Sequence, residues 1–157
     1  MSMLNRRLRG QSSLELLITL SFGLIILLPI VVLAFLQISS STSNLAVSEA
    51  QASASKLAAI AATVGSQGPP AKQLVLVDVP PSVQNVYVGT QVNGIGRAII
   101  FVINTNSGPS DVVAYTPVNI SGSLDTITSQ GTYLVNVSAE SSCPSAPQLP
   151  CVYISAS

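Results

Sequence analysis

The feature that most constrains this chain is an apolar run near its N-terminus. The run extends from Leu16 to Leu36 and contains 21 residues without a charged side chain. As a helix it would be about 30 Å long, which matches the hydrocarbon core of a bilayer. Three arginines, Arg6, Arg7 and Arg9, precede it. Because Lys and Arg are retained on the cytoplasmic side, we expect the remainder of the chain to lie outside the cell.

Two ordinary explanations of this run are an uncleaved signal anchor and a secretory peptide that is cut after Leu33. The run is longer than the roughly 7–15 apolar residues of a cleavable signal. Glu15 argues against both explanations, since a carboxylate at the edge of an apolar helix costs free energy in lipid and neither segment needs it. A carboxylate kept at that cost is expected to meet a positively charged partner.

The residues before the apolar run follow a specific pattern, in which Gly10 is followed by Gln11, Ser13 and Glu15. This pattern resembles the class III signal peptide of archaeal type IV pilins. The resemblance implies that a membrane-embedded aspartate peptidase cuts between Gly10 and Gln11. The apolar segment would stay attached and become the helical core of a filament. Thr19 stands where the family has a leucine.

The resemblance also implies partners, a location and a role. It implies a homo-oligomeric filament on the cell surface, used for adhesion, in which Glu15 neutralises the terminal amine of a subunit. The precursor would sit in the plasma membrane with its N-terminus in the cytoplasm, and assembly would need a prepilin peptidase, an assembly ATPase and a membrane platform protein. The alternative is a monomeric, membrane-anchored extracellular protein that binds a ligand or assists pilus assembly.

The sequence predicts three parts: a leader over residues 1–10, a long N-terminal helix over residues 11–65 and a head over residues 72–157. Within the helix, residues 11–38 would form the membrane or filament core. Pro29 lies in this core and is expected to kink it. Such a proline is either an ordinary feature of membrane spans or a hinge for assembly.

The second part of the helix, residues 45–65, is Ala-rich and amphipathic. Small apolar residues recur there at spacings of three and four, which places them on one helical face. This face packs either on the chain's own head or on a partner. Its members are Val47, Ala50, Ala54, Leu57, Ala61 and Val64. Between the two parts, the hydroxyl run Ser39–Ser43 is either a break or a softened turn, and Gly65 with Pro69 and Pro70 predicts the end of the helix.

The remainder of the chain reads as short strands, so the predicted fold class is α+β, with the helix followed by a small antiparallel β-sheet or β-sandwich. The predicted strands are 74–79, 83–88, 97–103, 112–120, 132–139 and 152–154. The third is nearly all apolar, as is typical of a central strand buried on both faces. Pro117 indicates an edge or a bulge, and Asn93–Gly94 indicates a hairpin turn.

Cys143 and Cys151 are the only cysteines. Outside the cell a disulfide is the default for such a pair, and it would tie down the C-terminal strand. Two thiols without a histidine make half of a zinc ligand set, so no metal site is predicted.

Two sequons occur, at Asn119 and Asn136. In a chain rich in Ser and Thr they could arise by chance. The alternation of strand 132–139 places Asn136 on its less apolar side, and we expect a glycan at one or both positions.

The composition excludes several functions. Only 8% of residues are charged and there is no histidine. The chain has no basic footprint of the kind that nucleic-acid binding needs, and its carboxylates are scattered without paired spacing. We therefore predict no enzymatic activity and no cofactor.

Overall fold

The computed structural model describes residues 4–90, 94–144 and 146–157, and for residues 4–12 it describes the backbone alone. The chain forms two compact units, Met1–Ser41 and Thr42–Ser157. One helix is followed by six strands: α1 (Leu4–Gln67), β1 (Lys72–Val79), β2 (Val83–Gly89), β3 (Gly96–Thr105), β4 (Gly108–Ser123), β5 (Gly131–Glu140) and β6 (Cys151–Ala156). The predicted α+β fold is confirmed.

Helix α1 ends two residues later than predicted, and a different glycine terminates it. Gly68 adopts a positive φ of 70°, and its N–H donates to the Val64 carbonyl at 3.2 Å, which is a glycine C-cap. Gly65 lies inside the helix. A Cβ atom on Gly65 would lie 2.8 Å from Val118 Cγ1 and 3.1 Å from Val152 Cγ2. Gly65 therefore serves close packing, which a sequence pattern cannot distinguish from a stop signal.

The predicted amphipathic face of α1 packs on the chain's own sheet. The hydroxyl residues at 39–43 are helical throughout, so this run is not a break. The buried helix residues of the second unit are Ala46, Ala50, Ala54, Leu57, Ala58, Ala61 and Val64. The alanines among them let the helix backbone lie close to the sheet. Leu57 is the largest buried side chain on this face.

The strands form one six-stranded sheet in the order β1-β5-β6-β4-β3-β2. One face of this sheet supplies most of the core. Its largest fully buried members are Phe101, Ile99, Ile103, Ile120 and Ile154. The head is thus a single sheet covered by one helix, and the sandwich alternative is not adopted.

The sheet is mixed, which corrects the expectation of an antiparallel sheet. Strands β4 and β6 pair in parallel, with Ile120 opposite Val152, while β6 is antiparallel to β5. The connection from β4 to β5 leaves a gap one strand wide, and β6 fills it. Strand β6 follows β5 after the loop of residues 141–150 and runs antiparallel to it. Because β4 and β5 run in opposite directions, β6 is parallel to β4. Close approach requires Gly122, where a Cβ atom would lie 1.9 Å from the Ile154 carbonyl oxygen.

The position of each strand in the sheet tests two predictions, the burial of β3 and the edge or bulge at Pro117. Strand β3 is buried on one face only: Ile99, Phe101 and Ile103 are buried, and the residues between them are half-buried. The expectation of burial on both faces was wrong. The outer face of this sheet also carries apolar residues, but it does not bury them fully. Pro117 lies in a central strand, at the register shift between Gly96 and Ala98, so its bulge alternative is correct. The predicted turn at Asn93–Gly94 includes Asn93, which lies outside the described residues.

The helix also covers the free edge of β1. Ser53 Oγ donates to the Asp78 carbonyl at 2.5 Å, and Lys56 Nζ donates to the Leu76 carbonyl at 2.7 Å. These carbonyls are two residues apart and point away from β5, where a further strand would otherwise pair. Covering an edge in this way prevents unwanted strand addition.

Candidate functional site

The candidate functional site is the apolar part of α1 in the first unit, residues 13–38. Every residue of this segment is exposed. The large apolar side chains lie all round the helix and not on one face; they are Leu14, Leu16, Leu17, Ile18, Leu20, Phe22, Leu24, Ile25, Ile26, Leu27, Leu28, Ile30, Val31, Val32, Leu33, Phe35, Leu36 and Ile38. A helix that is apolar on every side must be surrounded by lipid or by other apolar surfaces.

Length and composition also make this helix a candidate membrane span. Over Ser13–Gln67 its most apolar 18-residue window reaches a mean hydropathy of 2.9, and none of that window is buried within the chain. A segment of this kind can anchor a protein in a membrane or act as a signal.

Glu15 lies at the start of this segment and is exposed. Among the residues whose side chains the structure describes, the carboxylate has no hydrogen-bond or ion-pair partner. Its backbone carbonyl accepts a hydrogen bond from Thr19 Oγ1 at 2.6 Å. The Thr19 hydroxyl is thereby satisfied inside its own helix, as is usual for Ser and Thr in apolar helices. Thr19 therefore needs no polar partner outside the helix.

Two further predicted assembly features lie along α1. Pro29 is inside the helix, where it removes one backbone donor without ending the helix. A hinge role for Pro29 stays a prediction. The backbones of Gly10 and Gln11 are helical, and nothing beyond the backbone is described for these residues. Cleavage between them stays a prediction.

The predicted disulfide is confirmed: Cys143 and Cys151 are bonded, with their Cα atoms 5.5 Å apart. Both cysteines are buried. The Cys143 N–H also donates to the Leu149 carbonyl at 2.9 Å, so the loop between the cysteines is closed by backbone and covalent bonds together. The bond holds the start of β6 beside the end of β5, where Glu140 pairs with Cys151.

The two sequons lie in different surroundings. Asn119 belongs to the bulged part of β4, and its Oδ1 accepts a hydrogen bond from Arg97 Nε at 3.2 Å. Asn136 lies in β5, between the fully buried Val135 and Val137. Strand alternation therefore turns Asn136 to the outer face of the sheet.

Sequence reasoning missed two features. The first is the covering of the β1 edge by Ser53 and Lys56, for which the only signal was a lone lysine in an Ala-rich segment. The second is an exposed apolar patch on the outer face of β1 and β5. It gave no signal because residues 74–77 are apolar at every position, and alternation cannot then be read.

Within the described part of the chain, no group of three or more His, Cys, Asp or Glu side chains is placed to hold a metal ion. No protein-family profile, no curated protein and no solved structure shows significant similarity to this chain. The function is therefore inferred from the geometry of the helix and from the motif that precedes it.

Proposed function

We propose that this chain is the structural subunit of a type IV pilus-like surface filament, which polymerises through the apolar part of α1. The observation that carries the proposal is the exposure of every large apolar side chain in residues 13–38. Each such side chain left in water costs about 1.5–3 kcal/mol relative to burial. The segment therefore needs an apolar environment at every stage of the protein's life.

The proposed environment changes during assembly. Before assembly the segment spans the membrane, with the arginines on the cytoplasmic side. After cleavage between Gly10 and Gln11 it leaves the bilayer and packs against the same segment of other copies. A prepilin peptidase, an assembly ATPase and a membrane platform protein carry out these steps, and the head faces the solvent.

The division of α1 into two parts along its length supports this proposal. The Ala-rich part packs on the sheet, whereas none of the most apolar window of the helix is buried within the chain. A ligand-binding protein needs only an anchor, and an anchor has no use for Glu15 at the start of its apolar run. In the filament, the Glu15 carboxylate pairs with the positive amine that cleavage creates at Gln11.

The test is N-terminal sequencing of the protein recovered from sheared surface filaments. We expect a start at Gln11 in that fraction and the full chain in the membranes of cells that lack the peptidase. Recovery of the protein only as a detergent-extracted monomer that still carries residues 1–10 would contradict the proposal and favour the membrane-anchored accessory protein.

A further inference from the structure

We propose that Asn136 carries an N-linked oligosaccharide and that this glycan covers an apolar patch on the outer face of the sheet. The patch consists of Leu74, Leu76 and Leu134, here called the leucine patch. The proposal requires that the head is exported, but it does not require that the chain polymerises.

The leucine patch is unusual for a surface that faces water. Leu74 and Leu76 are 61% and 56% exposed, and Leu134 is 40% exposed. Leu76 is directly opposite Leu134 in the β1–β5 ladder, so their side chains are neighbours. Strand β1 is an edge strand, and charged residues usually occupy such positions, because contiguous exposed leucines promote association.

Asn136 lies within this patch. It is directly opposite Leu74 and two residues from Leu134 on the same face. On its other side it pairs with Ser155 of β6. Its side chain is half-buried, and it makes no hydrogen bond to any described residue. An amide that the protein leaves unsatisfied on an outer face is free to carry a substituent.

The sequon supplies the chemistry. Asn136, Val137 and Ser138 match the acceptor pattern for N-glycosylation. The co-reactant is a lipid-linked oligosaccharide phosphate. A bond forms between Asn136 Nδ2 and C1 of the first sugar as the bond between C1 and the phosphate oxygen breaks. The amide loses one proton, and the lipid phosphate leaves.

The structure sets the order of events. Ser138 is only 3% exposed, and its Oγ donates to Glu140 Oε1 at 3.0 Å. A transferase that must contact the sequon hydroxyl can reach it only before β5 enters the sheet. Glycan transfer therefore precedes folding of the head, and the folded head is not a substrate.

A tethered glycan can cover the leucines even though its intrinsic affinity for them is weak. The attachment point lies inside the leucine patch, so the local concentration of sugar there is high. The C–H faces of the sugar contact the leucines, and its hydroxyl groups face the solvent. The Asn119 sequon lacks this setting, since its side chain already pairs with Arg97 and lies in the bulged part of β4.

The first experiment is peptide mass analysis of the protein from its native host. Cleavage by chymotrypsin after Tyr115 and Tyr133 places the two sequons in separate peptides. We expect the peptide with Asn136 to be heavier than its sequence by whole sugar residues. A bare Asn136 peptide would overturn the proposal; if the leucine patch were nevertheless inaccessible to solvent, a second copy of the head would be its occupant.

The second experiment tests the covering of the leucine patch. Asn136→Gln and Ser138→Ala should each abolish the added mass and raise the binding of an apolar fluorescent dye several-fold. Asn119→Gln is the matched control and should leave dye binding unchanged. Dye binding that stays at the level of the native protein in both variants would overturn the covering role.

A further substitution separates loss of covering from misfolding. In the Asn136→Gln background, Leu76→Asn removes part of the leucine patch and should return dye binding toward the native level. A misfolded head would keep its high dye binding after this change, and that result would count against the proposal. Ser138→Thr keeps the sequon and should keep the glycan.

Discussion

Replacing Leu57 by alanine tests how the head is held on the helix. Leu57 is fully buried, with 0% exposure, and it is the largest buried side chain that α1 contributes. Its neighbours on the same helical face are alanines, which cannot move far enough to fill the space that it would leave. Because alanine has the best helix propensity, the substitution does not weaken the helix itself.

The expected cost follows from the cavity. A buried Leu→Ala change destabilises a domain by about 2–5 kcal/mol, and more where the surroundings cannot collapse. For a unit of this size, about 3 kcal/mol lowers the melting temperature by roughly 10–15 °C. Leu45→Ala is the matched control: Leu45 lies on the same helix and is 61% exposed, so its removal should change stability by less than about 0.5 kcal/mol.

The assay is urea unfolding of the full chain in mild detergent, followed by tyrosine fluorescence. The chain has four tyrosines and no tryptophan, and all four tyrosines lie in strands of the head, at positions 87, 115, 133 and 153. The Leu57→Ala midpoint should fall well below that of the unmodified chain. Equal midpoints for the Leu57 and Leu45 variants would refute the reasoning, because the head would then not depend on the helix face.

Three further outcomes are expected. Gly122→Ala should destabilise the head by about 3 kcal/mol, measured by the same unfolding assay, because no side chain fits between β4 and β6. Replacing Cys143 and Cys151 by serine should cost roughly 2–3 kcal/mol, in accordance with the short loop that they close. Glu15→Gln should leave leader cleavage intact and strongly reduce the yield of sheared filaments, whereas Glu49→Gln on the same helix should not.

Each of these outcomes has a result that contradicts it. Gly131→Ala is the control for the Gly122 variant, since a Cβ atom at Gly131 would make only an ordinary contact, 3.5 Å from Tyr133 Cε2; equal losses in both variants would argue against close β4–β6 packing. A stability that is unchanged in the double serine variant would show that the disulfide does not constrain the head. Normal filaments from Glu15→Gln would remove the role proposed for that carboxylate.

Local patterns in the sequence were sufficient to predict the helix and the strands. The spacing of Ala50, Ala54 and Leu57 identified the helical face that packs on the sheet, because burial of that face requires this period. The six strands were predicted in order, since β-branched residues and turn residues alternate along the head. The disulfide followed from having two cysteines in a domain that we expected to be exported.

Features that depend on contacts between distant segments were not predicted. The insertion of β6 between β5 and β4 has no local signal, because strand order is a property of the whole sheet. Gly65 looked like a helix stop, and its packing against Val118 and Val152 is visible only in three dimensions. The leucine patch was hidden because its residues alternate with valines, so that both faces of β1 are apolar.

The candidate functional site was predicted only in part from the sequence. The apolar run and Glu15 were identified from the sequence alone, and the structure adds that the run remains exposed on every side. The pairing of Glu15 with a terminal amine was implied only by the resemblance to archaeal type IV pilins, and it stays a prediction. A contact between chains leaves no pattern in one chain.

The measurement that tests the account most directly is photocrosslinking from within the apolar segment. Phe35 is 72% exposed, so a photoreactive amino acid at this position reports what surrounds the helix in sheared filaments. The account predicts covalent multiples of this chain, joined through the apolar segments of neighbouring copies. Crosslinks to lipid alone, with the chain recovered as a monomer, would contradict it.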